Sequence, residues 1–325
     1  MSGFHGHSHG HSHVHGHGQG HAHTHDHAGR IDEALRDSAA GIRAVKISLL
    51  VLGATAVLQM AIFALSGSVA LLADTIHNVF DALTAVPLWF AFSISGRAAT
   101  RRFTYGFGRV EDLAGLFVVV VIAISAVVAS VEAVRRLVNP VPIAHLGWVA
   151  AAGLVGFIGN ELVAVYRIRV GRRIGSAALR ADGMHARADG FTSLAVVAGA
   201  AGVALGYPLA DPIVGLLIAG AIVTVLVTAA RDVFSRLLDG VDPALVDTAH
   251  TVLAGQPHVR SVRRVRMRWV GHRLEADAEL DVDDTLSLTA AHQLAHDAEH
   301  ELSHAIPKLS TVLVHAYPAR VTSAH

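Results

Sequence analysis

The sequence predicts a bundle of six membrane-spanning α-helices followed by a small α+β domain. This fold class follows from an apolar composition, from six apolar stretches of suitable length, and from a C-terminal region with mixed helix and strand patterns. Of the 325 residues, 52% are hydrophobic and only 16% are charged, and the mean hydropathy is +0.47. Such a composition excludes a disordered chain and a coiled coil.

The predicted membrane domain, residues 29–236, contains six stretches near the ~20 residues with which a helix crosses ~30 Å of hydrocarbon. They lie at Ala44–Leu65, Val69–Ser93, Leu113–Val138, Leu146–Tyr166, Ser176–Leu205 and Pro212–Ala230. Arginines concentrate before the first helix, after the sixth, and in the second and fourth connections, the last beginning at Arg167. Because basic loops stay in the cytoplasm, we expect an integral protein of the cell (inner) membrane with both termini cytoplasmic.

The C-terminal region, residues 237–325, is polar enough to form a soluble domain. Its hydrophobic periodicity predicts the order helix, strand, strand, helix, strand. The elements are expected at Pro243–Leu253, Val259–Trp269, Arg273–Val282, Leu286–Ala305 and Thr311–Ala316, with a turn at Val270-Gly271-His272 between the first two strands. This order suits a small two-layer α+β domain.

The N-terminal segment, residues 1–28, is of low complexity, with histidine alternating with Gly, Ser, Ala and Thr. Such a segment cannot bury a core, so we expect it to be disordered. Neutral imidazoles bind Zn, Cu and Ni, and we interpret the segment as a flexible tail that collects metal. The alternative is an extension without function or a cloning artefact.

Charge and cysteine content exclude several classes of function. The 26 basic residues balance the 26 acidic ones, so no basic surface is available for a nucleic-acid partner. The chain contains no cysteine, which excludes disulfide scaffolds, thiolate metal sites and cysteine nucleophiles. Any soft ligand chemistry must therefore use the 23 histidines; nothing in the sequence indicates an organic cofactor.

An internal repeat is the strongest signal for function. Residues 68–84 and residues 176–192 are identical at eight of seventeen aligned positions, within the second and the fifth predicted helix. We expect the two copies to run in the same direction across the membrane. The identical positions include two aspartates and one histidine in each copy: Asp74, His77 and Asp81 in the first, and Asp182, His185 and Asp189 in the second.

The repeat predicts a metal site inside the membrane. A His and an Asp four residues apart share one helical face, and two such pairs supply the two imidazoles and two carboxylates that Zn²⁺ accepts. Ionisable side chains at membrane depth are costly and usually functional, and a divalent ion neutralises two carboxylates. The expected ligands are His77, Asp81, His185 and Asp189. Asp74 and Asp182 are expected beside these ligands, where they would orient them, act as charges at the helix start, or form an entry funnel for the metal. The alternative interpretation of all six residues is hydrogen bonding from helix to helix.

These residues make the chain similar to the cation diffusion facilitator family of zinc exporters. The resemblance rests on the paired His-x-x-x-Asp, on Tyr-Gly-x-x-Arg-x-Glu at Tyr105–Glu111, and on Asp211-Pro212 at the start of the sixth helix. It implies export of Zn²⁺, as transported substrate, in exchange for protons through the four proposed ligands. It also implies a homodimer and a cytoplasmic domain of ferredoxin-like fold.

The chain departs from the family at two further metal sites. The second connection, residues 97–109, offers no His, Asp, Glu or Cys, so the metal site that some members hold there is expected to be absent. Several bacterial members of the family carry a two-metal site in the cytoplasmic domain, and this chain keeps His292 and His315 of its pattern. Glu279 and Tyr317 stand at positions where further metal ligands are expected. A carboxylate at Glu279 can bind metal and Tyr317 is a poor ligand, which leaves this site open.

A rival motif lies near the C-terminus. Residues 300–304 read His-Glu-Leu-Ser-His, which matches the H-E-x-x-H of zinc metallopeptidases. The extended form of that motif has a third histidine, and Ser310 occupies its position. A membrane-tethered metallopeptidase is therefore the alternative function, less favoured than the metal carrier.

Deleting residues 1–28 should reduce metal transport chiefly at low zinc, because a metal-collecting tail raises the local zinc concentration near the entrance. Initial rates in vesicles, measured across a range of zinc concentrations, test this. An unchanged apparent KM in the deletion variant would show that the tail takes no part in delivery.

Overall fold

The computed structural model describes residues 24–66, 85–138, 146–207 and 209–319. The helices of these ranges are α1 (Thr24–Ser66), α2 (Ala85–Ser95), α3 (Arg109–Val138), α4 (Leu146–Ile174), α5 (Ala177–Ala204), α6 (Ala210–Leu237), α7 (Pro243–Ala254) and α8 (Leu288–Ala305). The strands are β1 (Val259–Val270), β2 (Arg273–Val282) and β3 (Leu309–Pro318).

A helical membrane domain occupies the first two thirds of the chain, as predicted. Within the described ranges, four helices are long and apolar enough to cross a membrane, and they lie in α1, α3, α4 and α6. The 28-residue α5 packs against α3, α4 and α6. The predicted second span, Val69–Ser93, lies outside the described residues up to position 84, and so does the N-terminal tail up to position 23.

Several helices extend beyond their apolar stretches at one end of the bundle. The observed α4 continues past the predicted end at Tyr166 to Ile174, and α6 continues to Leu237. At this end of the bundle Arg180 of α5 forms an ion pair with Asp232 of the α6 extension, so charged residues there have partners on neighbouring helices. Arg167 therefore lies inside α4 and is buried, and its assignment to a connecting loop is wrong.

The described part of α2 and helix α5 approach one β-hairpin with opposite ends, while the first repeat copy, residues 68–84, lies outside the described residues. The C-terminal end of α2 and the N-terminal end of α5 meet the same β-hairpin. Arg273 donates a hydrogen bond to the backbone oxygen of Ser95 (3.0 Å), and Gly175, just before α5, lies against the backbone oxygen of His272. These contacts place opposite ends of the two helices at one end of the bundle, and the direction of the first repeat copy itself stays a prediction.

The C-terminal domain has the predicted order and two-layer architecture. Its sheet has the strand order β1-β2-β3, with β1 and β2 antiparallel and β2 and β3 parallel. Alternate residues of β2, such as Leu274 and Leu280, are fully buried and pack with Leu253 of α7 and Leu302 of α8. Both helices therefore cover the same face of the sheet, and every predicted element of this domain is confirmed.

The opposite face of the hairpin carries a ladder of charged pairs. Hydrogen bonds from Ser261 and Arg263 lower the pKa of the Asp281 carboxyl, which keeps it ionised. Cross-strand pairs of this kind favour one register. The ladder consists of Arg260–Asp283, Arg263–Asp281, Arg264–Glu279 and Arg268–Glu275.

The turn between β1 and β2, here called the hairpin tip (Val270–His272), docks on the membrane helices. The Nδ1 atom of His272 lies 2.8 Å from Oε2 of Glu111, and both side chains are almost fully buried. The backbone N–H of Gly271 donates to Asp112 (3.2 Å), and Arg236 donates to the Gly271 oxygen (2.9 Å). Side chains from α3 and α6 therefore hold the tip of the C-terminal domain.

The segment Tyr105–Glu111, which contributes to the family resemblance, forms much of this dock. A Cβ atom at Gly108 would lie 3.1 Å from the Val270 oxygen, so glycine allows the backbone of the tip to approach. Arg109 pairs with Asp239 just after α6 (2.5 Å), and Glu111 pairs with His272. The sequence motif thus joins the two domains.

Replacing Gly271 by Ala should weaken the docking of the domains. Gly271 has φ +61°, which costs about 1–2 kcal/mol for a residue with a side chain, and its Cβ would lie 2.8 Å from the Gly108 oxygen. We expect the thermal unfolding midpoint of the solubilised protein to fall by several degrees. The control is Gly255→Ala, at φ −78° and with ordinary contacts; equal shifts in both variants would contradict this account.

Candidate metal site

Helix α5 carries three buried ionisable residues on one side. Asp182, His185 and Asp189 are 0%, 1% and 5% exposed, and their spacing of three and four residues places them along one helical face. The Nδ1 atom of His185 lies 3.6 Å from Oδ2 of Asp189. The predicted His-x-x-x-Asp pair of the second repeat copy therefore faces the interior of the bundle and presents a nitrogen and an oxygen side by side.

Close packing of α4 against α5 buries this face. A Cβ atom at Gly183 would lie 2.8 Å from the Ile168 side chain and 3.0 Å from Cβ of Arg167, so only glycine allows the helices this approach. Small residues at such interfaces are the usual means of close helix packing in membranes.

At the start of α5, Ser176 caps the helix by accepting a hydrogen bond from the N–H of Leu179 (3.1 Å).

Asp182 forms an ion pair that the sequence did not reveal. Its Oδ2 atom lies 2.8 Å from Nη1 of Arg167 on α4, and both side chains are at most 2% exposed. The guanidinium neutralises this carboxylate without a metal ion. Of the three roles expected for Asp182, this contact favours that of an orienting group, because it fixes α5 against α4 one turn before His185.

A second ion pair joins the same two helices nearer their surface. Arg187 donates two hydrogen bonds to the carboxylate of Glu161, at 2.7 and 3.2 Å, and both side chains are about one third exposed. The sequence patterns described above point to neither residue. The signal available was an arginine within an apolar helix two positions after His185, since a charged residue there needs a partner.

The other half of the expected site falls on His77 and Asp81, which lie outside the described residues, as does Asp74. In the ranges that the structure describes, no group of three or more His, Asp or Glu side chains is arranged to hold a metal ion. The described half of the site is the His185–Asp189 pair.

The three candidate ligands of the C-terminal domain lie on two sides of its sheet. Glu279 and His315 are register partners on β2 and β3, on the face away from the helices. Glu279 forms an ion pair with Arg264, and the ring of His315 packs on that of Tyr317. His292 lies on the exposed side of α8, in the helical layer. The structure therefore brings Glu279 and His315 together and keeps His292 apart from them within one chain.

Two family models match the chain, one for each domain. The model for the cation efflux transmembrane domain matches residues 45–238, and the model for the cation efflux protein cytoplasmic domain matches residues 241–319. The matches leave out the whole of the predicted tail, residues 1–28. Together they cover the structure from the middle of α1 to the end of β3, apart from residues 239 and 240.

Similar proteins include bacterial cation efflux proteins and a magnetosome protein. The probable cation efflux system proteins MT2084 and Rv2025c of Mycobacterium tuberculosis are each 70% identical over 292 residues, which cover 90% of this chain and 88% of theirs. The magnetosome protein MamB of Paramagnetospirillum magneticum is 28% identical and the match covers 80% of this chain and 88% of that protein. The manganese efflux system protein MneP of Bacillus subtilis is 26% identical, with 84% and 95% covered.

Replacing Arg167 by Met should destabilise the membrane domain. The substitution leaves the Asp182 carboxylate buried without its partner, which typically costs about 3–5 kcal/mol. The free energy of unfolding in mixed micelles measures this effect. The double variant Arg167→Met/Asp182→Asn removes the unpaired charge and should recover much of the loss, whereas the control Arg169→Met, at an exposed position of α4, should change little. A loss in the double variant as large as in the single one would contradict the ion-pair account.

Proposed function

Because the chain belongs to the cation efflux family, the cation diffusion facilitators, we propose that it exports Zn²⁺ from the cytoplasm in exchange for protons. The family match spans both domains, and the chain is accordingly an integral membrane transporter of metal cations. The observation that carries the proposal for the site is the buried His185–Asp189 pair on α5. The full site would consist of His77, Asp81, His185 and Asp189, with the first two supplied by the other repeat copy.

Charge balance supports a divalent cargo. An isolated carboxylate in an apolar helix bundle is strongly disfavoured. Asp81 and Asp189 would together carry two negative charges, and one divalent ion cancels them. The site would therefore favour a divalent ion while both carboxylates are charged. It would release that ion once protons take its place.

The donor set favours zinc over manganese. Imidazole nitrogen suits Zn²⁺, and Mn²⁺ prefers sites built from oxygen alone. His185 supplies a buried imidazole, and the repeat assigns a second to His77. Since the similar proteins include a manganese carrier by name, the family alone does not choose the metal, and the choice of zinc rests on these two nitrogens.

Proton exchange follows from the same donors. Histidine ordinarily titrates near pH 6.5, so protons and metal compete for its nitrogen across the physiological range. A neutral cytoplasm favours metal binding, and a more acidic exterior favours its replacement by protons. A proton gradient would then drive export through alternating access of one site, a mechanism common among secondary transporters.

Other parts of the chain would support transport. Asp182 would hold α5 against α4 through its ion pair with Arg167, and Asp74 would orient the ligands of the first repeat copy. The protein would lie in the cell (inner) membrane, with both termini in the cytoplasm. Residues 1–28 would collect metal, residues 29–236 would carry it, and residues 237–325 would support a homodimer.

The metallopeptidase alternative receives no support. The similar proteins are transporters by name, and His300, Glu301 and His304 lie on the exposed side of α8. Metallopeptidase chemistry needs a zinc-bound water beside a bound peptide, and an open helix face does not enclose one.

His185→Ala and Asp189→Asn should each abolish zinc-driven proton movement in proteoliposomes with an imposed pH gradient, because each removes one ligand of the shared site. A control of matched chemistry is the pair His250→Ala and Asp247→Asn, both exposed on α7, which should retain transport. Zn²⁺ should also move faster than Mn²⁺ in the unmodified protein. Normal flux in either α5 variant would remove the site assignment, and faster Mn²⁺ flux would overturn the choice of zinc.

A further inference from the structure

The exposed side of α8 carries four histidines at intervals of four residues. The rings make edge-to-face contacts in two successive pairs, His292 with His296 at 4.6 Å and His300 with His304 at 4.5 Å between centroids. All four side chains are exposed, so none of them is needed to fill the core. The transport proposal uses neither member of the second pair.

The second pair has the geometry of a metal chelate. The Nε2 atoms of His300 and His304 lie 3.2 Å apart. A metal ion bonded to both at the usual ~2.1 Å would subtend an angle of about 100° between them, close to the tetrahedral geometry of zinc. When both rings carry their proton on Nδ1, both Nε2 lone pairs are available to a metal ion, and no proton has to leave the pair. The two nitrogens are therefore within reach of one ion.

The helix that presents the pair is held firmly. Ser287 caps its start by accepting from the N–H of Ala290 (3.2 Å), and its other side buries Ala298 and Leu302 against the sheet. Glu299 accepts a hydrogen bond from the N–H of Val314 on β3 (3.0 Å). Because the backbone positions are fixed, metal binding only has to order two imidazole side chains.

We propose that His300 and His304 form a two-imidazole site for a divalent transition metal on the surface of the cytoplasmic domain. Imidazole favours Zn²⁺, Cu²⁺ and Ni²⁺, and water completes the coordination because the site is exposed. Such an open site exchanges its ion readily, unlike a closed structural site. It is separate from the candidate ligands His292, His315 and Glu279 and does not require the transport proposal to hold.

Residue-resolved chemical modification of the full-length protein tests this site. Diethyl pyrocarbonate modifies exposed histidines, and mass spectrometry of peptides reports each position separately, so binding of zinc by the N-terminal tail does not obscure the result. Free Zn²⁺ is held constant by a metal buffer. Zinc should slow modification of His300 and His304 together, while His250 and His258, which are exposed elsewhere in the domain, should stay reactive.

The variant His304→Ala separates chelation from single-histidine binding. Loss of the second ligand should raise the zinc concentration that half-protects His300 by about 100-fold, since a tethered second ligand acts at a high effective concentration. The position is exposed, and an unchanged unfolding midpoint verifies that the variant folds. The proposal is overturned if zinc leaves His300 reactive in the unmodified chain, or if His300 is protected equally well in the variant.

Discussion

Burial of charge in an apolar helix bundle is the constraint on which this structure depends. A charged group there is strongly disfavoured unless an opposite charge accompanies it. The chain meets this requirement with the ion pair of Arg167 and Asp182, and the buried Glu111 carboxyl lies 2.8 Å from Nδ1 of His272. His185 and Asp189 are buried side by side in the same bundle. The proposed binding of a divalent cation there would follow the same electrostatic rule.

At the hairpin tip, the contact between the two domains also pairs buried polar groups with one another. The tip's partners come from α3 and α6, two of the three helices that pack against α5. A displacement of the cytoplasmic domain would therefore act on the helices that flank His185. The buried pair of Glu111 and His272 makes the contact sensitive to both partners, because removal of either one leaves the other buried alone.

Sequence patterns predicted elements well where a single chain segment determines them. Strand alternation and helix periodicity placed β2 at its observed limits, Arg273–Val282, and found every element of the C-terminal domain. Hydropathy ended α4 too early, because the partner that allows Arg167 to be buried lies on another helix. The pairing of Glu111 with His272 joins positions 161 residues apart, and no local pattern encodes it. The repeat revealed His185 and Asp189 but not the ion pair of Asp182 with Arg167.

The most direct test of the account asks whether His77 and His185 can share one ion. The chain contains no cysteine, so the double variant His77→Cys/His185→Cys introduces the only two thiols, and Hg²⁺ bridges thiols that approach one metal ion. The control pairs His77→Cys with Ala204→Cys at the far end of α5. The account predicts an intramolecular mercury bridge in the first variant and none in the second. Absence of a bridge in the first variant, under both inward and outward pH gradients, would contradict a shared transport site.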